Sequence, residues 1–349
     1  MTPSSSYLPI HVSALLPAQR VGLDLFIAGT PSPDQQREES QRSKKDSSAS
    51  DPGDSAADSD DQEMRLYRSA DLPLLASDLQ RLQQRGVRHL FIESCHQSVY
   101  QTFLEECSDP QNLSGDETLL SRLCVLSERT RDGVRLAMEQ QNVDAALAVS
   151  KTFARSVAEI FFKDAFTNRD VFLAIDHDVS TYTHIVNVAF FAALLATRLG
   201  YSAGDVEKIA VGGLLHDLGK MDISEGIVCK PGRLTDEEFR LIKMHPTFGF
   251  RRLAQREDIL REQLLMVYQH HERFDGGGYP VGLTGRETHP WSRLCAVVDV
   301  FEALTSHRPY RMPMKGAKAL EIQNRDKELA FDPEMLRCWE LIIQNDWID

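Results

Sequence analysis

Five histidines and two aspartates between residues 184 and 299 sit at the ends, or on the inner sides, of apolar segments. His184 opens THIVNVAFFAALLATRL, and His216 with Asp217 closes VGGLLHD. His245 precedes a proline in IKMHPTFG, His270 and His271 end REQLLMVYQHH, and Asp299 interrupts RLCAVVDVFEALTS. A single buried histidine is usually structural. A buried carboxylate is a different matter, because it is costly unless a cation or hydrogen bonds compensate it. Five apolar helices that each deliver a His or an Asp argue for one shared polar centre. Imidazole with carboxylate is a ligand set for Fe, Mn, Zn or Ni. The number of donors exceeds what one octahedral ion takes while leaving room for water, so two ions are expected, with a carboxylate able to bridge them. Two ions roughly 3.5–4 Å apart can hold a shared hydroxide at neutral pH and clamp a phosphodiester for in-line attack.

The elements that must position these groups read as helices. Val206, Ile209, Ala210, Gly213 and Leu214 recur at helical spacing and lead to His216, with Gly219 as a stop. Val188, Phe191 and Leu195 mark the inner side of the His184 helix, and the proline after His245 ends the helix before it. Neighbouring helical residues diverge by about 100°, so His270 and His271 approach from different sides or one of them drops out. The loop that follows, ERFDGGGYP, is rich in glycine and costly to order. It reads either as a surface turn that stops a helix or as a wall where backbone comes close to a ligand. Tyr279 reads as a wall or a packing residue, and Asp275 as a loop anchor.

Across its 349 residues the chain has the composition of a globular protein and a net charge of −13. That charge excludes a global basic footprint for duplex nucleic acid or an anionic membrane. From Thr30 to Glu63 large apolar residues almost vanish, and about half of the net negative charge is concentrated there. The expectation is a disordered acidic insert at 30–63 within a small α/β domain spanning 1–110. A helical connector is expected over 111–172 and an all-α domain over 173–349. The fold class is therefore α+β overall, with a helical C-terminal domain and a small N-terminal α/β domain. Six irregularly spaced cysteines read as reduced, mostly buried thiols. The longest apolar run, Val188–Ala196, is too short to span a bilayer. The N-terminus, with Pro3, Pro9 and Pro17 and no basic start, does not read as a secretory signal, and a cytoplasmic location is expected.

The order H…HD…H…HH…D, with LLHDLGK, KPGRLTDEEF, HHERFDGGGYP and VVDVFEALTSHRPYR, resembles the HD-GYP domain of the HD phosphohydrolase superfamily. The likeness covers about 170–345. The N-terminal domain resembles, much more weakly, small domains found ahead of HD-GYP modules. The resemblance implies bacterial hydrolysis of cyclic di-GMP to pGpG, and often on to GMP. It implies one metal at His184, His216, Asp217 and Asp299, and a second at His245, His270 and His271, with Asp217 bridging. Iron or manganese is the expected pair of divalent ions. Lys220 would join Asp217 in the chemistry by facing the phosphate or hydroxide. Arg308 and Arg311 would grip phosphate, a task that suits the planar guanidinium fork, and Gly278 and Tyr279 would line the cleft. The loop would also touch partners such as diguanylate cyclases, and a homodimer is compatible with the sequence.

One departure concerns a third metal. Some family members carry a glutamate four residues before the first histidine, and here that position is Ser180. A hydroxyl is a poor ligand, so a binuclear centre is expected. A non-catalytic receptor or adaptor, or an enzyme of another cyclic dinucleotide, are the alternative readings. Degenerate sites usually lose ligands, and this set is complete. His11, His89, His96, His177, His289 and His307 read as surface or structural, Asp176 and Asp178 as caps, and Glu302 as either a supporting or a solvated charge.

Overall fold

A computed structural model describes residues 7–15, 21–28, 64–108, 118–175, 180–307, 311–325 and 330–347. The expected insert at 30–63, the residues Asp176, His177 and Asp178, and Arg308 lie outside these. The chain divides into two compact units, Met1–Asn112 and Leu113–Asp349.

The first unit contains β1 (Tyr7–His11), β2 (Leu25–Ala28), β3 (Met64–Arg68), α1 (Ala76–Gln84), β4 (His89–Glu93) and α2 (Gln97–Ser108). Its sheet has the order β1-β4-β2-β3 and is antiparallel at each pairing. In β4 the period of two is plain: Leu90 and Ile92 are fully buried, while their neighbours are partly exposed. In α2 the buried residues Tyr100, Phe103, Leu104 and Cys107 follow the three-four spacing of one helix face.

Helices build the second unit. They are α3 (Leu119–Glu139), α4 (Val143–Lys163), α5 (Asn168–Ala174), α6 (Thr181–Arg198), α7 (Ala203–Leu215), α8 (Glu225–Val228) and α9 (Asp236–Ile242). They continue as α10 (His245–Leu253), α11 (Arg261–Gln269), α12 (Pro290–Thr305), α13 (Gly316–Arg325) and α14 (Pro333–Asp346). Most begin with the capping residues that local sequence supplies; Thr118, Asn142, Thr167, Ser180, Ser202 and Asp332 each accept a first-turn amide.

The centre of this unit is α6, buried on every side from Thr183 to Ala196. A helix that is apolar all round must be enclosed, and α7 and α12 pack against it. Gly213 permits the closest approach, since a Cβ there would stand 2.8 Å from the Ala189 Cα. The long helices α3 and α4 are packed into the same unit, α4 extensively against α7. Phe191 and Phe301 form an aromatic cluster with Phe172, Trp339 and Trp347 beside the far end of α12.

The six cysteines form no disulfide with one another, and Cys107, Cys124 and Cys295 are buried. Cys95, within the 3-10 turn Ser94–His96, and Cys229, the C-cap of α8, are exposed, against the reading of mostly buried thiols. Among the described residues no helix is long and apolar enough to cross a membrane.

Candidate metal centre

Four helix ends and one mid-helix turn converge their polar groups. His184 sits in the first turns of α6, and His216 is the C-cap of α7. Asp217 then leads into a 3-10 turn, Leu218–Asp222, that carries Lys220. His245 begins α10, with Pro246 in its first turn, and His270 caps α11. Asp299 lies on the inner side of α12. His184, His216, Asp217, His245, His270 and Asp299 are all buried.

The helix before Asp217 ends at Leu215, before Gly219 is reached. Gly219 has a different task from the stop expected of it. A Cβ there would come within 1.9 Å of the His245 carbonyl oxygen and 2.4 Å of the Gly249 nitrogen. Only glycine lets the turn that bears Asp217 and Lys220 lie directly against α10.

Two groups of donors result. His184, His216 and Asp299 form one, and His245, His270 and His271 the other, with ligand atoms in each group within 4.8 Å of one another. Asp217 stands between them. Its Oδ2 is 3.5 Å from His184 Nε2 and 3.4 Å from His216 Nε2, and its Oδ1 is 3.2 Å from His245 Nε2. His184 Nε2 lies 3.2 Å from Asp299 Oδ1, and His245 Nε2 lies 3.1 Å from His270 Nε2. Lys220 Nζ is 2.6 Å from Asp217 Oδ2.

The far nitrogens decide which atoms face inward. His216, His245 and His270 place Nδ1 at 2.6, 2.7 and 2.9 Å from the carbonyls of Gly213, Ile242 and Val267. A carbonyl only accepts, so each Nδ1 must carry the proton, and each neutral ring offers its Nε2 lone pair to the centre. His184 does the same through Glu302, whose carboxylate accepts from Nδ1. His271 is the exception: its Nδ1 faces inward, 3.9 Å from Asp299 Oδ2.

Burial dominates the electrostatics. It pushes His245 down to about 3 and His271 down to about 4, and holds His270 well below the usual imidazole range. For Asp217 burial pulls upward, but the Lys220 cation beside it outweighs that and holds the carboxyl well below the ordinary value. His245, His270 and His271 therefore stand as neutral imidazoles beside the ionised Asp217, the donor state a divalent ion requires. The Nε2 atom of His216 is buried without a hydrogen-bond partner, a vacancy in bonding that a metal satisfies. The residues fit a metal centre.

The glycine loop is anchored from within. Glu272, which the sequence reading passed over, is buried, and its carboxylate accepts from the amides of Val281, Gly282 and Leu283 at 2.7–3.2 Å. Asp275 bonds Arg273 and the Gly277 amide, as an anchor should. Gly278 is pressed on protein: a Cβ would meet the backbone of residues 271–273 within 2.3–2.6 Å. Tyr279 stacks on His271 with ring centres 4.7 Å apart. Arg311 donates to the Ala303 carbonyl near the end of α12 and keeps a buried Nη1 without a hydrogen-bond partner.

Glu302 is 1% exposed, which removes the solvated reading. Asn187 Nδ2 and Ser306 Oγ also bond it, at 3.0 and 2.6 Å. Both Glu302 and Asn187 lie three residues after a donor, on the same helix face, and that spacing was the available signal. Ser180 accepts from Tyr182 N at 3.2 Å as the cap of α6. His289 caps α12, and His96 lies 3.6 Å from Glu93.

The HD domain family model matches residues 172–335. The cyclic di-GMP phosphodiesterase PA4108 of Pseudomonas aeruginosa is 32% identical over 294 residues, which is 75% of this chain and 66% of that protein. The chain belongs to the HD-GYP family. The HDG"Y"P protein Bd1817 from Bdellovibrio bacteriovorus shares the fold of this HD-GYP chain. Its TM-score is 0.61 at 17% identity, covering 97% of this chain and 100% of that one. A 3'3'-cGAMP-specific phosphodiesterase, number 3 of Vibrio cholerae, is 36% identical over 157 residues, 44% of this chain and 34% of that protein. The chain thus spans about a third to two thirds of the length of the curated relatives it matches.

Proposed function

We propose that this HD-GYP chain is a metal-dependent phosphodiesterase that hydrolyses cyclic di-GMP to pGpG. His184, His216, Asp217 and Asp299 would hold one ion, and His245, His270 and His271 the second, with Asp217 shared. The observation that carries the reading is the placement of Asp217, whose two oxygens face two different groups of histidines. Bound iron or manganese would supply Lewis acidity and a water acidic enough to attack phosphorus near neutral pH.

The chain's own groups do the rest. Lys220 brings a cation to the edge of the centre, with its side chain 18% exposed, and meets the added negative charge of the phosphate. Arg308 and Arg311 are assigned to the phosphate as well. Tyr279 forms the wall over His271, while Gly278 lets the loop close down on that wall. The exposed loop residues, Val281 among them, are assigned to protein partners such as diguanylate cyclases.

The test is metal analysis of anaerobically purified protein, paired with chromatographic turnover of cyclic di-GMP. Wild type should carry two equivalents of metal and turn over. Asp217→Ala should carry fewer and lose at least about a hundredfold in rate, the upper end of what loss of even an outer-sphere metal partner costs. Metal-free protein that binds the nucleotide without cleaving it would make the chain a receptor. The likeness to a 3'3'-cGAMP-specific enzyme favours a second reading with that substrate. Turnover of both dinucleotides in competition decides between them.

A further inference from the structure

We infer that the two halves of the centre hold their ions unequally, the His184 half more tightly, because Glu302 braces His184 from behind. This rests on the binuclear reading above.

Asp299 and Glu302 lie three residues apart on α12, and both reach the same imidazole. Asp299 Oδ1 is 3.2 Å from Nε2, and Glu302 accepts from Nδ1. Glu302 is itself fixed by Asn187 and Ser306, so it is a rigid acceptor in a buried place. The opposite half is built differently. His245 and His270 rest on the peptide carbonyls of Ile242 and Val267. The nearest acid to His271 there is Asp299, at 3.9 Å.

A carboxylate behind a metal-ligating imidazole makes it a stronger base and fixes its orientation, and a neutral carbonyl does so less. The buried anion also attracts a cation across the ring, in surroundings that screen little. The first equivalent of metal therefore enters the His184 half. Glu302 is a positioning residue: it acts through His184 and touches neither ion nor substrate.

The test titrates Mn(II) into the full chain after chelator treatment, counting free Mn(II) by its electron paramagnetic resonance signal. Wild type should show two classes of site separated by tenfold or more in affinity. Glu302→Gln should weaken the tighter class by about 10–100-fold and leave the weaker one unchanged. Glu302→Asp, which keeps the charge, should recover part of the loss. His271→Ala should remove only the weaker class.

A wild type with two equal sites overturns the inference. So does a Glu302→Gln isotherm that matches wild type or weakens both classes alike, or a His271→Ala that loses the tighter class. If circular dichroism shows Glu302→Gln unfolded, the wild-type and His271→Ala isotherms decide. Fewer than two ions in wild type overturns the binuclear reading, and this inference with it; two ions in the wrong order overturns this inference alone.

Discussion

Asp78 in the N-terminal unit and Asp217 in the helical unit are both buried carboxylates held below their ordinary pKa. Asp78 is closed off by near neighbours. Arg68 and Arg81 bond its two oxygens, and the Leu75 amide adds a third donor at 3.1 Å. Nothing about that arrangement asks for a ligand. Asp217 has one local cation, Lys220, and otherwise faces imidazole nitrogens whose protons point elsewhere. Lone pairs aimed at lone pairs repel unless something positive lies between them. The same residue type, shielded from solvent in both places, makes a structural clamp in one unit and half of a binding site in the other. What differs is where the neighbours' protons go.

The sharpest way to separate the two is to disturb each without touching the other. Gly219→Ala drives a methyl into the His245 and Gly249 backbone. It should cost about 1–3 kcal/mol by overpacking, and should displace Asp217 enough to lose metal. Asp78→Ala should cost a similar amount, about 1–3 kcal/mol, through unpaired donors, and keep the full complement of metal. Urea denaturation with metal analysis checks both. Metal loss in Asp78→Ala would break the contrast.

Acid should part the two units next. In metal-free protein, His245 and His271 have folded values of about 3 and about 4, below the unfolded value of about 6.5. The unfolded chain then binds more protons in between, so their contribution is complete above about pH 6.5 and fades as pH falls. Asp78 is depressed in the folded state, so its contribution persists to about pH 4 and is lost only below that. Hydrogen exchange at stepped pH should show α10 and α11 losing protection before β4. The reverse order would refute the assignment.

The smallest effect is expected at Tyr279. Tyr279→Phe keeps the ring that stacks on His271, so metal content should be unchanged and turnover should stay within about threefold, less than one hydrogen bond to a charged group is worth. A larger drop in rate would assign the hydroxyl to the substrate.

Much of the centre was legible because chemistry leaves a mark in composition. A histidine or acid at the end of an apolar helix, or interrupting its apolar run, stands out: His184, His216, Asp217, His245 and His270 did so at helix ends, and Asp299 did so within α12. Glu302 and Asn187 were harder. A polar residue on an apolar helix reads as buried or solvated depending on helix rotation, which one sequence does not fix. Glu272 was hidden for another reason: its partners are backbone amides at 281–283, which carry no side-chain signature. Gly219 reads as a helix stop in any sequence, and only its distance to α10 reveals a packing role.

Sequence alone determined the types of donor, their order along the chain and the helices that carry them, because helical periodicity and the cost of burying charge are local properties. It also marked out the α+β division, since alternation and helical spacing are read over a few residues. Tertiary structure alone decided which donors share a group, that Asp217 stands between the two, and which nitrogen of each ring faces inward. Those facts depend on the crossing of helices far apart in sequence, and on carbonyls and carboxylates that lie behind the rings. Convergence of that kind is set by packing, and packing is a property of the whole chain.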